Sequence, residues 1–207
     1  MSDPTPAATP APEDKSKRMR EKVDKLLARS ACRSESSIVQ GGKTLKYRAI
    51  ADFIPVAAGG VDDKRGEPEA AVFTTSYLLD DADDASRPVC FVFNGGPGSA
   101  SIWLHLGALG PKRVVIQEDG SMPPPPYTVT DNQESWFEHF DLVFIDPPHT
   151  GYSITASEDA RKRMLSVDGD VDALAEVIRT WLGRPPLEFG GLRRRRKLRD
   201  DARRGAG

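Results

Sequence analysis

The chain has 207 residues, 38% hydrophobic and 29% charged, with a formal net charge of −2. That length favours a single domain, the hydrophobic fraction sits above that of typical disordered chains, and the net charge points to no particular partner. Two cysteines, Cys32 and Cys90, are too few for a disulfide framework or a cysteine-based metal site, and no run approaches the roughly 20 apolar residues that a membrane span needs. The near-neutral total hides an asymmetry. Gly183 to Gly207 holds eight Arg and one Lys against three acids, a net of +6, which leaves residues 1–182 at −8.

Residues 1–14 carry four prolines among Ala, Thr, Ser and acids, the composition of a disordered leader. The segment lacks the apolar core of a secretory signal, so the chain as written is expected in the cytoplasm. Lys15 to Ser30 predicts a basic helix with Met19, Val23, Leu26 and Leu27 on one face, expected to dock on the body or stay exposed. Ser37 to Leu79 reads as β structure, with runs at Ile38-Val39, Leu45 to Phe53 and Ala70 to Leu79. Gly41-Gly42 supplies a hairpin turn between the first two. Residues 57–68 form a polar loop, and the aspartate-rich stretch Asp80 to Ser86 is a solvated loop without the glycine and glutamate of a calcium-binding one.

The most informative stretch is Arg87 to Pro111, RPVCFVFNGGPGSASIWLHLGALGP. Val89 to Phe93 is a short apolar run suited to a strand buried on both faces. Asn94-Gly95-Gly96-Pro97-Gly98 ends it, because three glycines and a proline suit neither strand nor helix. Ser99 or Ser101 is then expected to cap a short helix through Leu109, stopped by Gly110-Pro111. A buried strand, a glycine turn with open amides and a helix start form a place for negative charge, or a tight turn without chemistry. Further on, Lys112 to Ile116 predicts a short strand. Met122 to Tyr127 holds four consecutive prolines, a rigid loop or a polyproline ligand. Leu142 to Ile145 predicts a second buried strand, and Asp168 to Leu182 a helix burying Val171, Leu174, Ala175, Ile178 and Leu182.

NGGPGSAS with LGALGP resembles the serine carboxypeptidase family of α/β-hydrolases. So does Asn132 to Ser153, NQESWFEHFDLVFIDPPHTGYS, with its Asn and Trp, its strand ending in Ile-Asp-x-Pro and its Gly-aromatic-Ser turn. The likeness runs over roughly residues 37–182. It implies an α/β fold, the N-terminal half of an α/β-hydrolase, with a mixed, mainly parallel sheet and flanking helices. The implied layout is a leader and basic helix over 1–36, a partial hydrolase domain over 37–182 and an Arg-rich tail over 183–207. The implied activity is release of C-terminal residues from peptides through an acyl-enzyme, without metal or cofactor. The partner would be a peptide with a free C-terminus. In this likeness the Gly96 N–H is an oxyanion-hole donor, while Asn94 and Gly95 hold the substrate's terminal carboxylate. Glycine admits a tetrahedral oxyanion close to the backbone, and a neutral amide can bond a carboxylate. Relatives with a disulfide after the turn carry Cys where this chain has Ser99, and many have Trp where it has Val92.

The nucleophile, base and acid of such an enzyme find no match. No G-x-S-x-G elbow occurs, and Gly151 to Thr155 comes nearest with Thr where the elbow needs a small residue. Ser153 is therefore not assigned as the nucleophile, and His105, His139 and His149 fall at positions without a catalytic counterpart. After Leu182 the composition changes abruptly to Arg, Gly, Pro and Ala, where the family continues into strand and elbow. One reading is a truncated or frameshifted, inactive N-terminal portion of the enzyme. The other is a non-catalytic interaction protein whose basic arm binds nucleic acid or anionic surfaces. A proline-iminopeptidase-like enzyme would carry His where this chain has Asn94.

Overall fold

The computed structural model describes residues 12–57, 66–80, 87–95 and 98–184. The leader to residue 11, Gly59-Gly60, most of the aspartate-rich loop, Gly96, Pro97 and the Arg-rich tail from residue 185 lie outside those residues. Helix α1 (Pro12–Leu27) begins near its proline, which suits a first helical position. It docks on the body: Val23 is fully buried with Ala71 and Ala156, and Leu26 and Leu27 pack beside them.

Strands β1 (Cys32–Gln40), β2 (Lys43–Ala57) and β3 (Pro68–Leu79) form an antiparallel meander longer than the apolar runs alone suggest. Gly41 and Gly42 sit at φ of +55° and +75°, the left-handed pair that a two-residue hairpin needs. Strand β4 (Val89–Val92) pairs parallel with β7 (Asp141–Ile145), and β7 pairs antiparallel with β3. The sheet runs β1-β2-β3-β7-β4 and is mixed as expected. Among the described residues β4/β7 is its parallel pair, so antiparallel pairing dominates this portion. A two-stranded ribbon of β5 (Lys112–Val114) and β6 (Val129–Asp131) stands apart, with the proline run between its arms.

Both faces of the sheet are covered. Residues alternate along β7, so Val143 and Ile145 meet one core while Leu142 and Phe144 meet the other. The first core is closed by α3 (Glu158–Met164) and α4 (Val167–Gly183), capped by Ser157 and Ser166. Helix α4 buries Ala173, Leu174, Val177 and Trp181, while Val171 and Leu182, expected inside, are exposed. Trp181 decides this rotation. Its indole N–H donates to Ser76 Oγ at 3.0 Å, and its ring meets the Phe91 edge at 5.3 Å. Strand β4 touches both cores through alternate residues, yet Val89, Cys90 and Phe91 are half-buried because it is the last strand of the described sheet.

The second core holds α2 (Ile102–Leu104), which runs directly into a π-helical turn over His105–Leu109. That turn closes with the Gly110 N–H on the His105 carbonyl at 3.1 Å. A Cβ on Gly110 would lie 2.1 Å from the same oxygen, so the position requires glycine. Below it, the His105 ring stacks on Phe144 at 4.5 Å, and its Nε2 lies 2.6 Å from the Tyr77 hydroxyl. Burial holds the Tyr77 proton well above its usual range, with Tyr47 adding to the effect. Burial also drives His105 down to about 4.

Arg87 fastens the start of β4 to β7. It pairs with Asp141 at 3.1 Å and donates to the carbonyls of Phe137, Glu138 and Phe140, with the Phe137 ring beneath it. Both side chains are nearly buried. Replacing Arg87 with Met should destabilise the fold by about 3–5 kcal/mol, because it leaves a buried carboxylate without its guanidinium. Urea denaturation checks this. A second expectation concerns pH. The unfolded chain protonates His105 near pH 6.5 and the folded chain only near 4, so stability is complete above pH 6.5 and declines as the pH falls to 4. The decline attributable to this group is roughly 3 kcal/mol. Comparing urea midpoints of the natural chain and His105→Phe across that range should show a flatter profile in the variant.

Candidate functional site

Two turns meet at the carboxyl ends of the parallel pair β4/β7, where ligands gather in open α/β sheets. The first begins at Asn94. Its backbone N–H donates to Ser101 Oγ at 3.2 Å, and its side-chain Nδ2 to the Gly95 carbonyl at 3.3 Å. The carboxamide carries a second N–H beyond that bond. Gly95 is exposed, with no atom within 4 Å of where its Cβ would sit, so the backbone there is open to a ligand. Gly98 adopts φ of +94°, which returns the chain toward α2. Gly96, the expected oxyanion donor, is outside the described residues. Phe93, Ile102 and Trp103 give the turn an exposed apolar rim.

Ser101 departs from its expected role. It occupies the N-cap position of α2 but makes no side-chain cap bond. Instead its buried Oγ donates to the Ile145 carbonyl at the end of β7 and accepts the Asn94 N–H. This serine joins the first turn to the neighbouring strand.

The second turn, residues 146–153, is an excursion from the sheet. Strand β7 leaves the β3 edge at Ile145, opposite Thr74, and β8 (Ile154–Thr155) resumes on the same edge opposite Ala71. Ser153 bridges the gap: its Oγ accepts the Phe73 N–H at 2.8 Å and donates to the Asp146 carbonyl at 2.7 Å. That hydroxyl is committed in both directions, consistent with a structural serine rather than a nucleophile. His149 takes φ of +65° at the tip of the excursion, and burial, with Arg161 nearby, lowers its proton affinity.

Asp146 connects the two turns. One carboxylate oxygen accepts the Ser101 N–H at 2.9 Å and the other the Tyr152 N–H at 3.1 Å. The Cβ of any larger residue at Gly151 would come within 2.1 Å of that second oxygen. Between the turns lies a cavity of about 470 Å³, walled by Phe73, Ile102, His105, Phe144 and Tyr152. Four of these five side chains are aromatic rings. Two polar residues beside it, Ser101 and Asp146, already bond to the protein itself.

Farther from the mouth, Asn132 and Ser135 hold the end of the π turn. Asn132 Nδ2 donates to the carbonyls of Ala108 and Gly110 at 2.7 and 2.9 Å, and Ser135 Oγ to that of Leu109 at 2.8 Å. The Asn and Trp of the second sequence block thus divide: Asn132 is a buried brace, and Trp136 is exposed. Of the residues expected at the site, Asn94 and Gly95 stand together on the open turn. His105 faces Tyr77, and the hydroxyls of Ser101 and Ser153 face backbone groups. Ser101 was expected only as a cap and Asp146 only at a strand end; the link from Asp146 through Ser101 to Asn94 is what sequence reasoning missed. The available signal was an Asp directly after a buried strand with a glycine five positions on.

Among the described residues, no cluster of His, Cys, Asp and Glu could hold a metal ion, and no helix is long and apolar enough to cross a membrane.

The family model for serine carboxypeptidases matches residues 72–188, beginning in β3 and including both turns. A pheromone-processing carboxypeptidase KEX1 from Puccinia graminis f. sp. tritici is 37% identical over 89 residues, 42% of this chain and 12% of that protein. Its Saccharomyces cerevisiae namesake is 32% identical over 113 residues, 54% of this chain and 14% of that protein. The chain therefore spans about one-eighth of the length of these relatives. A crystal structure of Kex1(delta)p, a prohormone-processing carboxypeptidase from Saccharomyces cerevisiae, aligns with a TM-score of 0.43 and 24% identity, covering 67% of this chain and 29% of that one. With more than half of its residues matched by the family model, the chain belongs to the serine carboxypeptidase family.

Proposed function

We propose that this chain supplies the substrate-carboxylate and oxyanion side of a serine-type carboxypeptidase site, acting on peptides with a free C-terminus. The observation that carries the reading is the open turn at Asn94-Gly95, braced from below by Ser101 at the carboxyl end of a parallel strand pair. Asn94 offers an uncharged N–H to the terminal carboxylate, and the open backbone at Gly95 allows that group to approach. Gly96, next along the turn, would present its N–H to the oxyanion of a tetrahedral intermediate. Losing one such donor typically costs on the order of 10²–10³ in rate.

The proposal assigns no nucleophile to residues 1–207. No nucleophile-elbow sequence occurs there, and the buried serines of the site are held by backbone groups. The 207-residue chain should therefore bind but not cleave. Incubation with a fluorophosphonate should leave it unlabelled; labelling accompanied by peptide hydrolysis would refute the assignment.

The binding half is tested by titrating an N-acyl dipeptide with a free carboxylate and the same dipeptide amidated. The acid should bind more tightly. Asn94→Ala should weaken the acid by roughly 1.5–3 kcal/mol, about 10–150-fold in Kd, and leave the amide unchanged. Equal weakening of both would reject Asn94 as the carboxylate partner.

A further inference from the structure

We propose that Asp146 is a positioning residue that sets the Asn94 turn and the Tyr152 turn in one register, so that carboxylate binding depends on a side chain that does not touch substrate. The inference rests on the reading of the Asn94 turn given above. Each polar group of Asp146 is bound to a different part of the site. Its backbone N–H donates to the Phe73 carbonyl at 3.0 Å, and its own carbonyl accepts the Ser153 hydroxyl. The two carboxylate oxygens take the amides of Ser101 and Tyr152. Ser101 in turn receives the Asn94 N–H, which makes a continuous path of hydrogen bonds from Tyr152 to Asn94.

Only a carboxylate serves both amides. It presents two acceptors, and its charge strengthens each bond. An Asn at this position has the same shape but offers one acceptor and one donor, so an N–H would face one of the two backbone N–H groups. The surroundings are built around that anion. Asp146 is 9% exposed, and Gly151, at φ of +51°, leaves the space its second oxygen occupies. The ring of Tyr152, placed by the same amide, lies against Phe73 at 5.1 Å and closes one side of the cavity. A shift at Asp146 is therefore transmitted to the carboxylate turn and the cavity wall together.

The test compares the full-length chain with Asp146→Asn by amide hydrogen exchange, and by fluorescence titration with dansyl-Phe-Leu as free acid and as amide. Exchange at Asn94 and Tyr152 should accelerate together, at least tenfold, while the β7 amides of Leu142 to Ile145 stay protected. The preference for acid over amide should fall at least tenfold, with the thermal transition still cooperative. Acceleration at one turn alone or throughout the sheet overturns the proposal, as does an unchanged acid preference. If Asp146→Asn does not fold, Gly151→Ala, which keeps the carboxylate but crowds it away from Tyr152, carries the same comparison. A natural chain that takes acid and amide equally refutes the Asn94 reading instead. In that case joint acceleration at the two turns still supports the coupling, and its absence overturns it.

Discussion

The Asp146 carboxylate, with one backbone amide on each oxygen, sits where the two sequence blocks of this chain meet. The first block ends a strand in glycines, and such a turn has little side-chain packing to fix its shape. The second supplies what is missing. Asp146 and the Ile145 carbonyl hold Ser101, Ser101 holds Asn94, and Asn132 and Ser135 hold the far end at Ala108 to Gly110. The open backbone at Gly95 can remain unencumbered because the stiffness comes from residues some fifty positions later in the chain. On the proposed reading of the turn, donors fixed in advance need not reorganise when a substrate anion arrives.

The sheet beneath explains how the two blocks find each other. Strand β7 is buried on both faces and lies between β3 and β4, so its register with Val89 to Val92 fixes the height of Asp146 relative to Asn94. Arg87 and Asp141 fasten the opposite end of that pairing. On one face Trp181 ties α4 to Ser76 and Phe91; on the other His105 and Tyr77 share a proton-binding contact over Phe144. Slippage by one residue would turn Val143 and Ile145 toward the aromatic core and Phe144 toward α4.

Much of this was legible in the residues themselves. Val89 to Phe93 and Leu142 to Ile145 are short, β-branched and aromatic, and each is followed by a breaker, although the first strand ends at Val92 and leaves Phe93 exposed. Gly41-Gly42 could be read as a hairpin because the turn type demands left-handed backbone. Other features depend on partners far away in sequence. Helix α4 carries two apolar stripes, and local periodicity cannot tell that the one with Trp181 wins; only Ser76 and Phe91 decide it. Ser101 has the residue type and place of a helix cap, yet the Ile145 carbonyl competes successfully for its hydroxyl. Strand β6 is three residues long and half polar, and its pairing with β5 gives it away only in three dimensions. The turn at Asn94-Gly95 could be read as a strand break, and its carboxylate role was implied only by the family resemblance, whereas the bonds of Asp146 to Ser101 and Tyr152 form only in three dimensions.

The ribbon of β5 and β6 is anchored where it leaves the body: Lys112 pairs with Asp131, Asp131 accepts the Val39 N–H, and the Asn132 N–H reaches the Pro111 carbonyl. The proline-rich arc that it carries, from Ile116 to Val129, is mostly exposed. Its length is thereby uncoupled from the braced turns, since added residues would extend into solvent without altering the spacing between the two blocks. Evolution or an engineer can lengthen, shorten or decorate that arc, for instance with a reporter dye, while the geometry around Asn94 stays as it is.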